Sequence, residues 1–192
     1  MSLQELWELF PIVLSPHKCE WIDLAKEEMQ VLGEIISRFS PILNHIGSTA
    51  IPGIQAKPIA DILIEVPIDC AFADIRNILI ASGYICMSES QTRMSFNKGY
   101  TPEGYADKVF HIHVHRVGDN DEILFRDYLI SHPKTAKEYE SLKISLLPKY
   151  QNNRDAYTEA KSDFVKRTTE RAKNKIYKSI CCPSPSSFLI ID

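Results

Sequence analysis

Residues 45–66 have the sequence HIGSTAIPGIQAKPIADILIEV, and the rest of the chain is organised around this stretch. Its pattern predicts the end of an apolar strand, a Gly-Ser turn, a short helical turn and a buried strand over 59–66 that carries Asp61. A buried carboxylate is costly unless it finds a cation, a proton or a metal. We therefore expect Asp61 to have a partner and to mark a functional site.

The chain around this stretch mixes helix and strand patterns first and becomes helical later. Apolar residues at three- and four-residue steps predict the helices, which are 17–39, 71–82, 123–131, 134–147 and 154–177. Short apolar or alternating runs predict the remaining strands, which are 42–46, 84–87, 93–98 and 109–116. The last two strands form a hairpin with a longish loop around residues 100–104, and Pro133 and Pro148 separate the later helices.

This order of elements predicts an α+β fold, with a mixed β-sheet flanked by helices and a C-terminal helical bundle. We predict an α/β core with an N-terminal helix over residues 1–119 and a helical region packed on it over 120–180. Residues 181–192 are rich in proline and serine, so we expect an irregular tail there.

Composition limits the possible partners. No apolar run approaches the roughly 20 residues that span a bilayer, and the N-terminus lacks a signal-peptide pattern. We expect a cytoplasmic protein with no membrane and no specific nucleic acid partner. The sequence does not determine the oligomeric state. Residues 134–178 contain twelve lysines or arginines against six acids. This basic segment can face a phosphate-bearing ligand or form a solvated helical surface.

Gly47 and Ser48 lie at the predicted strand-to-helix turn. Free backbone N–H groups at a helix N-terminus can bind a phosphate, and small residues allow its close approach. The same residues also occur in ordinary turns and caps, so this pattern alone leaves both interpretations open.

A second acid, Glu65, lies four residues after Asp61 on the same predicted strand and therefore points to the same face. At about 3.3 Å per residue the two α-carbons are roughly 13 Å apart, which is too far for the carboxylates to share a metal ion. Glu65 is therefore not expected to be the catalytic partner of Asp61.

His111, His113 and His115 share one face of the strand over 109–116. Neighbouring histidines are roughly 6.6 Å apart along the backbone, so two imidazoles can converge on one metal or phosphate. If this strand lies beside that of Asp61, the result is a mixed nitrogen and oxygen site, which suits Mn²⁺ or Zn²⁺ better than Mg²⁺. The alternative is that these histidines are exposed or hydrogen-bonded and bind no metal.

Five further residues are candidates for ligand binding. Lys57, Arg93 and Lys98 flank the predicted strands and can hold phosphates or a carboxylate, or remain exposed charges. Tyr157 and Lys161 are one helical turn apart and share a face. They can reach over a cleft, or Tyr157 can pack in the bundle with Lys161 in solvent.

Together these residues resemble the signature of the GrpB family. The first motif, over residues 45–53 with 57–62, is the most specific. The other matching segments are 96–99, 111–114, 125–133 and 154–161, so the resemblance covers roughly residues 10–170.

The GrpB family is similar to the nucleotidyltransferase superfamily, whose pattern is a Gly-Ser turn, two metal-binding acids on the next strand and a third acid on a later strand. Gly47 and Ser48 match the turn and Asp61 matches the first acid, whereas Leu63 occupies the position of the second. Histidine stands where the third acid is usual. The resemblance implies a nucleotidyltransferase-like sheet, a nucleoside triphosphate and a small-molecule acceptor as partners, and a divalent metal (Mg²⁺, Mn²⁺ or Zn²⁺).

The first functional hypothesis is metal-assisted nucleotidyl transfer to an unknown small molecule. Asp61 and His113 are its catalytic residues, and Asp61, His111 and His113 its metal ligands. Its substrate-binding residues are Gly47, Ser48, Lys57, Arg93, Lys98, Tyr157 and Lys161.

Two other classes of function remain open. The first is a non-catalytic nucleotide- or CoA-related binding module, which Leu63 favours; family members are described as accessory domains linked to dephospho-CoA kinase. The second is an interaction protein that binds a partner through its basic helices. The chain contains no G-x-x-x-x-G-K-[ST] loop, so it is not the kinase itself.

Overall fold

The computed structural model describes residues 8–181 of the chain. Its α-helices are α1 Glu20–Ile35, α2 Phe72–Ala81, α3 Asp121–Ser131, α4 Pro133–Tyr150, α5 Arg154–Glu159 and α6 Ser162–Cys181. Its strands are β1 Ile42–Ile46, β2 Ala60–Val66, β3 Ile85–Glu89, β4 Arg93–Thr101 and β5 Gly104–Arg116. Short 3₁₀ helices form at Ser37–Phe39 and Ser48–Ala50. The predicted irregular tail lies outside the described residues, except for Cys181.

The five strands form one mixed sheet in the order β1-β2-β5-β4-β3. β2 and β5 are parallel, and the other neighbouring pairs are antiparallel. A parallel pair needs a crossover connection, and the chain supplies it with α2, β3 and β4. The structure thus confirms the predicted α+β fold, with helices that flank a mixed sheet.

The two faces of the sheet differ in chemistry because side chains alternate along each strand. Ile62 and Ile64 of β2 and Ile112 of β5 belong to the main apolar core, together with residues of α1 and α2. The odd-numbered residues of the same strands, which include Asp61 and the histidines, therefore point to the opposite face. Asp61 thus avoids the apolar core.

The C-terminal helices are anchored on the segment that precedes Asp61. Ile51 and Ile54, between β1 and β2, pack against Phe125 and Leu129 of α3 and against Tyr139 of α4 in a second apolar cluster. This packing brings the helical region over the Asp61 face of the sheet. The division of the chain at residue 119 stays a prediction.

Three details of the sequence prediction were wrong. Thr101 pairs with Gly104, so a two-residue turn joins β4 and β5 in place of a longish loop. The turn residues Pro102 and Glu103 are flanked by residues that simply continue the two strands. Pro148 lies inside α4, because the loss of one backbone N–H so near the helix end is tolerated. The helix predicted over 154–177 is divided into α5 and α6.

Asn153 marks the start of α5, since its side chain accepts a hydrogen bond from the backbone N–H of Ala156.

Within residues 8–181, no helix combines the length and apolar character that a membrane crossing requires.

Candidate functional site

A cavity of about 890 Å³ opens between the Asp61 face of the sheet and the C-terminal helices. Residues from the sheet, the Gly-Ser turn, the helices and the N-terminal segment line it. Its polar lining includes Gly47, Ser48, Thr49, Lys57, Asp61, Asn97, Tyr100, His111, His113, Tyr139, Lys143, Arg154, Asp155, Tyr157 and Lys161. Most of the sequence-predicted site residues therefore meet in one place.

Asp61 and His111 face each other across the parallel β2 and β5 strands, where their α-carbons are in register. His111 Nδ1 lies 3.1 Å from Asp61 Oδ1, and His113 Nε2 lies 3.7 Å from the same oxygen. Burial alone would raise the pKa of Asp61, but the interactions with His111 and His113 outweigh it and hold that pKa well below its usual range. Asp61 is therefore an anion with a partner, as its position in an apolar strand requires.

A chain of hydrogen bonds fixes the state of His111. Arg154 Nη2 donates to the Tyr100 hydroxyl over 2.6 Å, and that hydroxyl lies 2.7 Å from His111 Nε2. Since a guanidinium can only donate, the Tyr100 proton is directed to Nε2 and the His111 proton lies on Nδ1, facing Asp61. Burial lowers the pKa of His111 and favours this neutral form. Both ring nitrogens of His111 are therefore occupied.

Gly47 lies directly against the Asp61 carboxylate. Its φ of 71° and ψ of −171° define a conformation that L side chains rarely adopt. A β-carbon at Gly47 would lie 2.9 Å from both Cβ and Cγ of Asp61 and would also overlap its Oδ2. The turn therefore requires glycine, and its backbone forms the wall beside the acid. The turn and the acid that carry the resemblance to the GrpB family are therefore in direct contact.

Thr49 connects this turn to the residues on either side of it. Its hydroxyl oxygen lies 2.9 Å from His45 Nε2, and the hydroxyl donates to the Ile59 carbonyl over 3.3 Å. Burial lowers the pKa of His45 to about 4, so the ring is neutral at neutral pH. The end of β1 and the start of β2 are thus held together behind the Gly-Ser turn.

The same cavity is lined by four cations, which are Lys57, Lys143, Arg154 and Lys161. Burial lowers the pKa of Lys57 and Lys143 to about 8 and that of Lys161 to about 7. The cations add to this effect, since Arg154 lowers the pKa of Lys57 and both other lysines lower that of Lys161. Asp61 opposes the shift at Lys57 and Lys161 without cancelling it. The positively charged side chains in the cavity therefore repel one another.

Two tyrosines on the helices complete this wall. Burial raises the pKa of Tyr139 to about 12, and a hydrogen bond with Ser48 opposes the shift. Tyr157 is only 1% exposed, and its hydroxyl donates to the Lys143 carbonyl over 3.2 Å. Lys161 Nζ lies 4.4 Å from the centre of the Tyr157 ring. Tyr157 therefore packs among the helices while Lys161 lines the cavity above it.

Two of the sequence-predicted cations are not brought to the cavity. Arg93 makes two hydrogen bonds with Asp119, of 2.5 and 2.7 Å. Lys98 lies on the other face of the sheet, where its Nζ is 2.7 Å from Glu28 Oε1. Each of these cations thus neutralises a specific carboxylate elsewhere in the fold.

Glu65 and His115 stabilise the turn after β5. Glu65 Oε1 accepts hydrogen bonds from the Gly118 backbone N–H over 3.0 Å and from Asn120 Nδ2 over 3.2 Å. His115 is buried, and its Nδ1 lies 2.8 Å from the Asp119 carbonyl oxygen. Neither side chain lines the cavity.

The donor set does not fit a centre with two divalent cations. Among residues 8–181, no group of three or more His, Cys, Asp and Glu side chains is arranged to hold a metal ion. Leu63, two residues after Asp61 on β2, is fully buried and offers no metal-binding group. Because His111 is occupied on both nitrogens, Asp61 and His113 are the remaining donors. They can contribute to at most one cation whose other ligands are phosphate oxygens or water.

Sequence reasoning missed Tyr100, Tyr139, Lys143 and Arg154 as site residues. Tyr139 and Lys143 are four apart on one helix, which already predicts that they share a face. Tyr100 was placed in a turn, although it continues β4. The sequence gives no signal that Arg154 reaches Tyr100, because the two residues come from separate elements 54 positions apart.

Comparison with known proteins identifies the family. A family model described as GrpB protein matches residues 11–171. The glutamate-rich protein GrpB of Alkalihalophilus pseudofirmus is 37% identical over 163 residues, which cover 80% of this chain and 91% of that protein. The UPF0157 protein YqkA of Bacillus subtilis is 32% identical over 179 residues, which cover 89% of this chain. This chain spans about half of its length, at 51%.

A solved structure has the same fold. The crystal structure of the conserved protein GrpB from Enterococcus faecalis superposes with a TM-score of 0.72 at 28% identity, over 86% of this chain and 99% of that one. The residues that the family model matches, 11–171, include the Gly-Ser turn, the strand that carries Asp61 and the helices α1 to α5. The chain therefore belongs to the GrpB family.

Proposed function

We propose that this chain binds a nucleoside triphosphate in the cavity, with the phosphates between the Gly47–Ser48 turn and the lysine-rich helical wall. One observation carries the proposal: four cations line the cavity against two carboxylates, those of Asp61 and the exposed Asp155. Like charges that face one another across a buried space are unfavourable, and a polyanion relieves this repulsion.

The pairing of the cations supports the same proposal. Within the part of the chain that the structure describes, no carboxylate lies within ion-pair distance of Lys57, Lys161 or Arg154 (all of the ion pairs there involve other cations). By contrast, Arg93 and Lys98 outside the cavity each have a carboxylate partner. The cavity cations are thus available to an anionic ligand.

The size and the apolar lining of the cavity suit the rest of a nucleotide. Pockets for small molecules usually measure about 300–1,000 Å³ and combine apolar walls with a few polar groups. Leu9, Phe10 and Leu14 from the N-terminal segment and Ile85 and Met87 from β3 line this cavity. They offer a surface for a base, while the cations take the phosphates.

Metal-assisted nucleotidyl transfer to a small-molecule acceptor is the second candidate. The position of the ionised Asp61 beside the Gly47 turn favours it. Residues 8–181 contain no full ligand set for two cations, which favours binding without transfer, so binding is the function that the site supports best. A CoA-related ligand carries the same phosphate chemistry and is the natural competitor in the test.

Isothermal titration calorimetry tests the proposal. The wild-type chain is titrated with ATP, CTP, GTP, UTP and CoA, in Mg²⁺, Mn²⁺, Zn²⁺ or a chelator. Lys57→Met should weaken nucleotide binding about tenfold or more, because it removes one charged phosphate contact. Lys166→Met, at an exposed position on α6, is the matched control and should bind as the wild type does. Absence of binding to all of the nucleotides under every metal condition would refute the proposal.

Two further variants separate the metal and the transfer hypotheses. If a cation assists binding, Asp61→Asn and His113→Ala should lose the part of the affinity that depends on metal. Equal binding by the wild type and both variants would exclude a metal at Asp61 and His113. Pyrophosphate release in the presence of a library of small-molecule acceptors would distinguish an enzyme from a binding module.

A further inference from the structure

Lys161 occupies an unusual position for a lysine. It lies between α5 and α6, lines the cavity, and its Nζ rests 4.4 Å from the centre of the buried Tyr157 ring. Within the described residues its ammonium group makes no ion pair with a carboxylate. The face of the Tyr157 ring attracts the ammonium group, but burial in the cavity beside Lys57 and Lys143, with no ion-pair partner among the described residues, removes much of what normally stabilises a lysine charge.

The surrounding groups reinforce this effect. Lys57 and Lys143 face Lys161 in the same cavity, and Asp61 is the acid that opposes them. Burial first, and then these two cations, lower the pKa of Lys161 to about 7. A large fraction of Lys161 is therefore a free amine at neutral pH, whereas an ordinary lysine with a pKa of about 10.4 is almost fully protonated. A free amine is a nucleophile and an ammonium ion is not.

We propose that Lys161 is a covalent attachment site for a phosphate-bearing aldehyde or ketone, with which it forms an imine. The inference rests on the proposed function in one respect, since the neighbouring cations hold the phosphate. The Lys161 nitrogen attacks the carbonyl carbon, a C–N bond forms, and the carbonyl oxygen leaves as water after taking up the two amine protons. The step needs no oxidant, no reductant and no metal.

The other two cavity lysines are less suited to this reaction. Lys143 is only 2% exposed, and its Nζ donates a hydrogen bond to the Gln55 carbonyl. Its nitrogen is therefore held in place by the backbone. Lys57 faces Arg154 and keeps a higher pKa, of about 8. Both suit phosphate binding, so that the cavity contains a nucleophile and the cations that would orient its partner.

Pyridoxal 5′-phosphate is a suitable probe, because it combines an aldehyde with a phosphate. The full chain is incubated with it at about pH 7.5, where ordinary lysines are protonated. Borohydride then reduces the imine to a stable amine, and peptide mass spectrometry locates it. We expect labelling of Lys161 to exceed that of the exposed Lys166 about tenfold or more. Pyridoxal without the phosphate should label Lys161 much more slowly, and ATP should protect it.

The variants Lys161→Arg and Lys161→Met test the assignment, with Lys166→Arg as the matched control on α6. Both Lys161 variants should lose the main adduct, and the control should keep it. Labelling spread evenly over exposed lysines of the wild type would overturn the inference, and this readout needs no variant to fold. Failure of the two proposals is distinguishable. An adduct at Lys161 without ATP binding would support the attachment site and refute nucleoside triphosphate binding. ATP binding without an adduct would support triphosphate binding and refute the attachment site.

Discussion

The close approach of Gly47 to Asp61 gives a quantitative prediction for Gly47→Ala. A non-glycine residue at φ 71° and ψ −171° costs about 1–3 kcal/mol of backbone strain. The new β-carbon would also overlap Asp61, and an added methyl in a packed site costs about 1–3 kcal/mol. We expect a loss of about 2–6 kcal/mol in the free energy of unfolding, which corresponds to a fall of roughly 5–20 °C in Tm for a chain of this size.

Gly83→Ala is the matched control for this prediction. Gly83 also has a positive φ, of 87°, but a β-carbon there would meet no atom within 4 Å. It should therefore cost only about 1–2 kcal/mol, from the backbone alone. Thermal and urea unfolding, followed by circular dichroism, measure both variants, and calorimetry with ATP compares their affinities. If Gly47→Ala is no less stable than Gly83→Ala and binds ATP equally well, the proposed contact between the turn and Asp61 is wrong.

Three other predictions follow from the site and its supports. ATP affinity should fall as the pH rises from about 7 to 9, because Lys57 loses its proton in this range. The stability of the free chain should rise over the same range, since the unfolded lysine binds more protons than the folded one. Calorimetry and unfolding at each pH should show that both quantities depend less on pH in Lys57→Met. Tyr100→Phe should cost about 1–3 kcal/mol in urea unfolding because His111 loses its donor, whereas the exposed Tyr177→Phe should cost nothing measurable. Glu65→Ala should lower the unfolding free energy by about 1–3 kcal/mol while ATP affinity stays unchanged.

The sheet could be predicted from the sequence because its strands carry local signals. The strand predicted over 42–46 has the observed bounds, and that over 59–66 differs by one residue. Alternation over 109–116 also predicted which side chains share a face, and β5 has the expected apolar and polar sides. The sequence did not predict that β2 pairs with β5, although the predicted site of Asp61 and the histidines depended on that pairing. Strand order depends on packing between distant segments, which no local pattern encodes.

The candidate site was predictable only where it lies on regular strands. Strand periodicity placed Asp61 and Glu65 on one face of their strand and the three histidines on one face of theirs, and the structure adds that Asp61 is in register with His111. The contact of Tyr100 with Arg154 depends on how α5 packs over the end of β4, and so it could not be inferred from spacing. Lys143 was hidden for a different reason. Its helix pattern is that of an exposed basic segment, and only the fold shows that the lysine is buried against Gln55.

The single cavity-lining acid of β2 and the buried lysines together determine how charge is distributed in this site. In a centre with two metal ions, acids hold the cations, and the cations neutralise the phosphates. Here the residue between Asp61 and Glu65 on this face of β2 is the buried Leu63, and Asp61 is the carboxylate of that strand that lines the cavity. The positive charge is supplied instead by side chains fixed in the fold, among them Lys57, Lys143 and Lys161. Since their pKa values lie near 7–8, their charge increases when an anion binds. On the proposed function, binding of the phosphates should therefore be accompanied by proton uptake, and calorimetry in buffers of different ionisation enthalpy measures it directly.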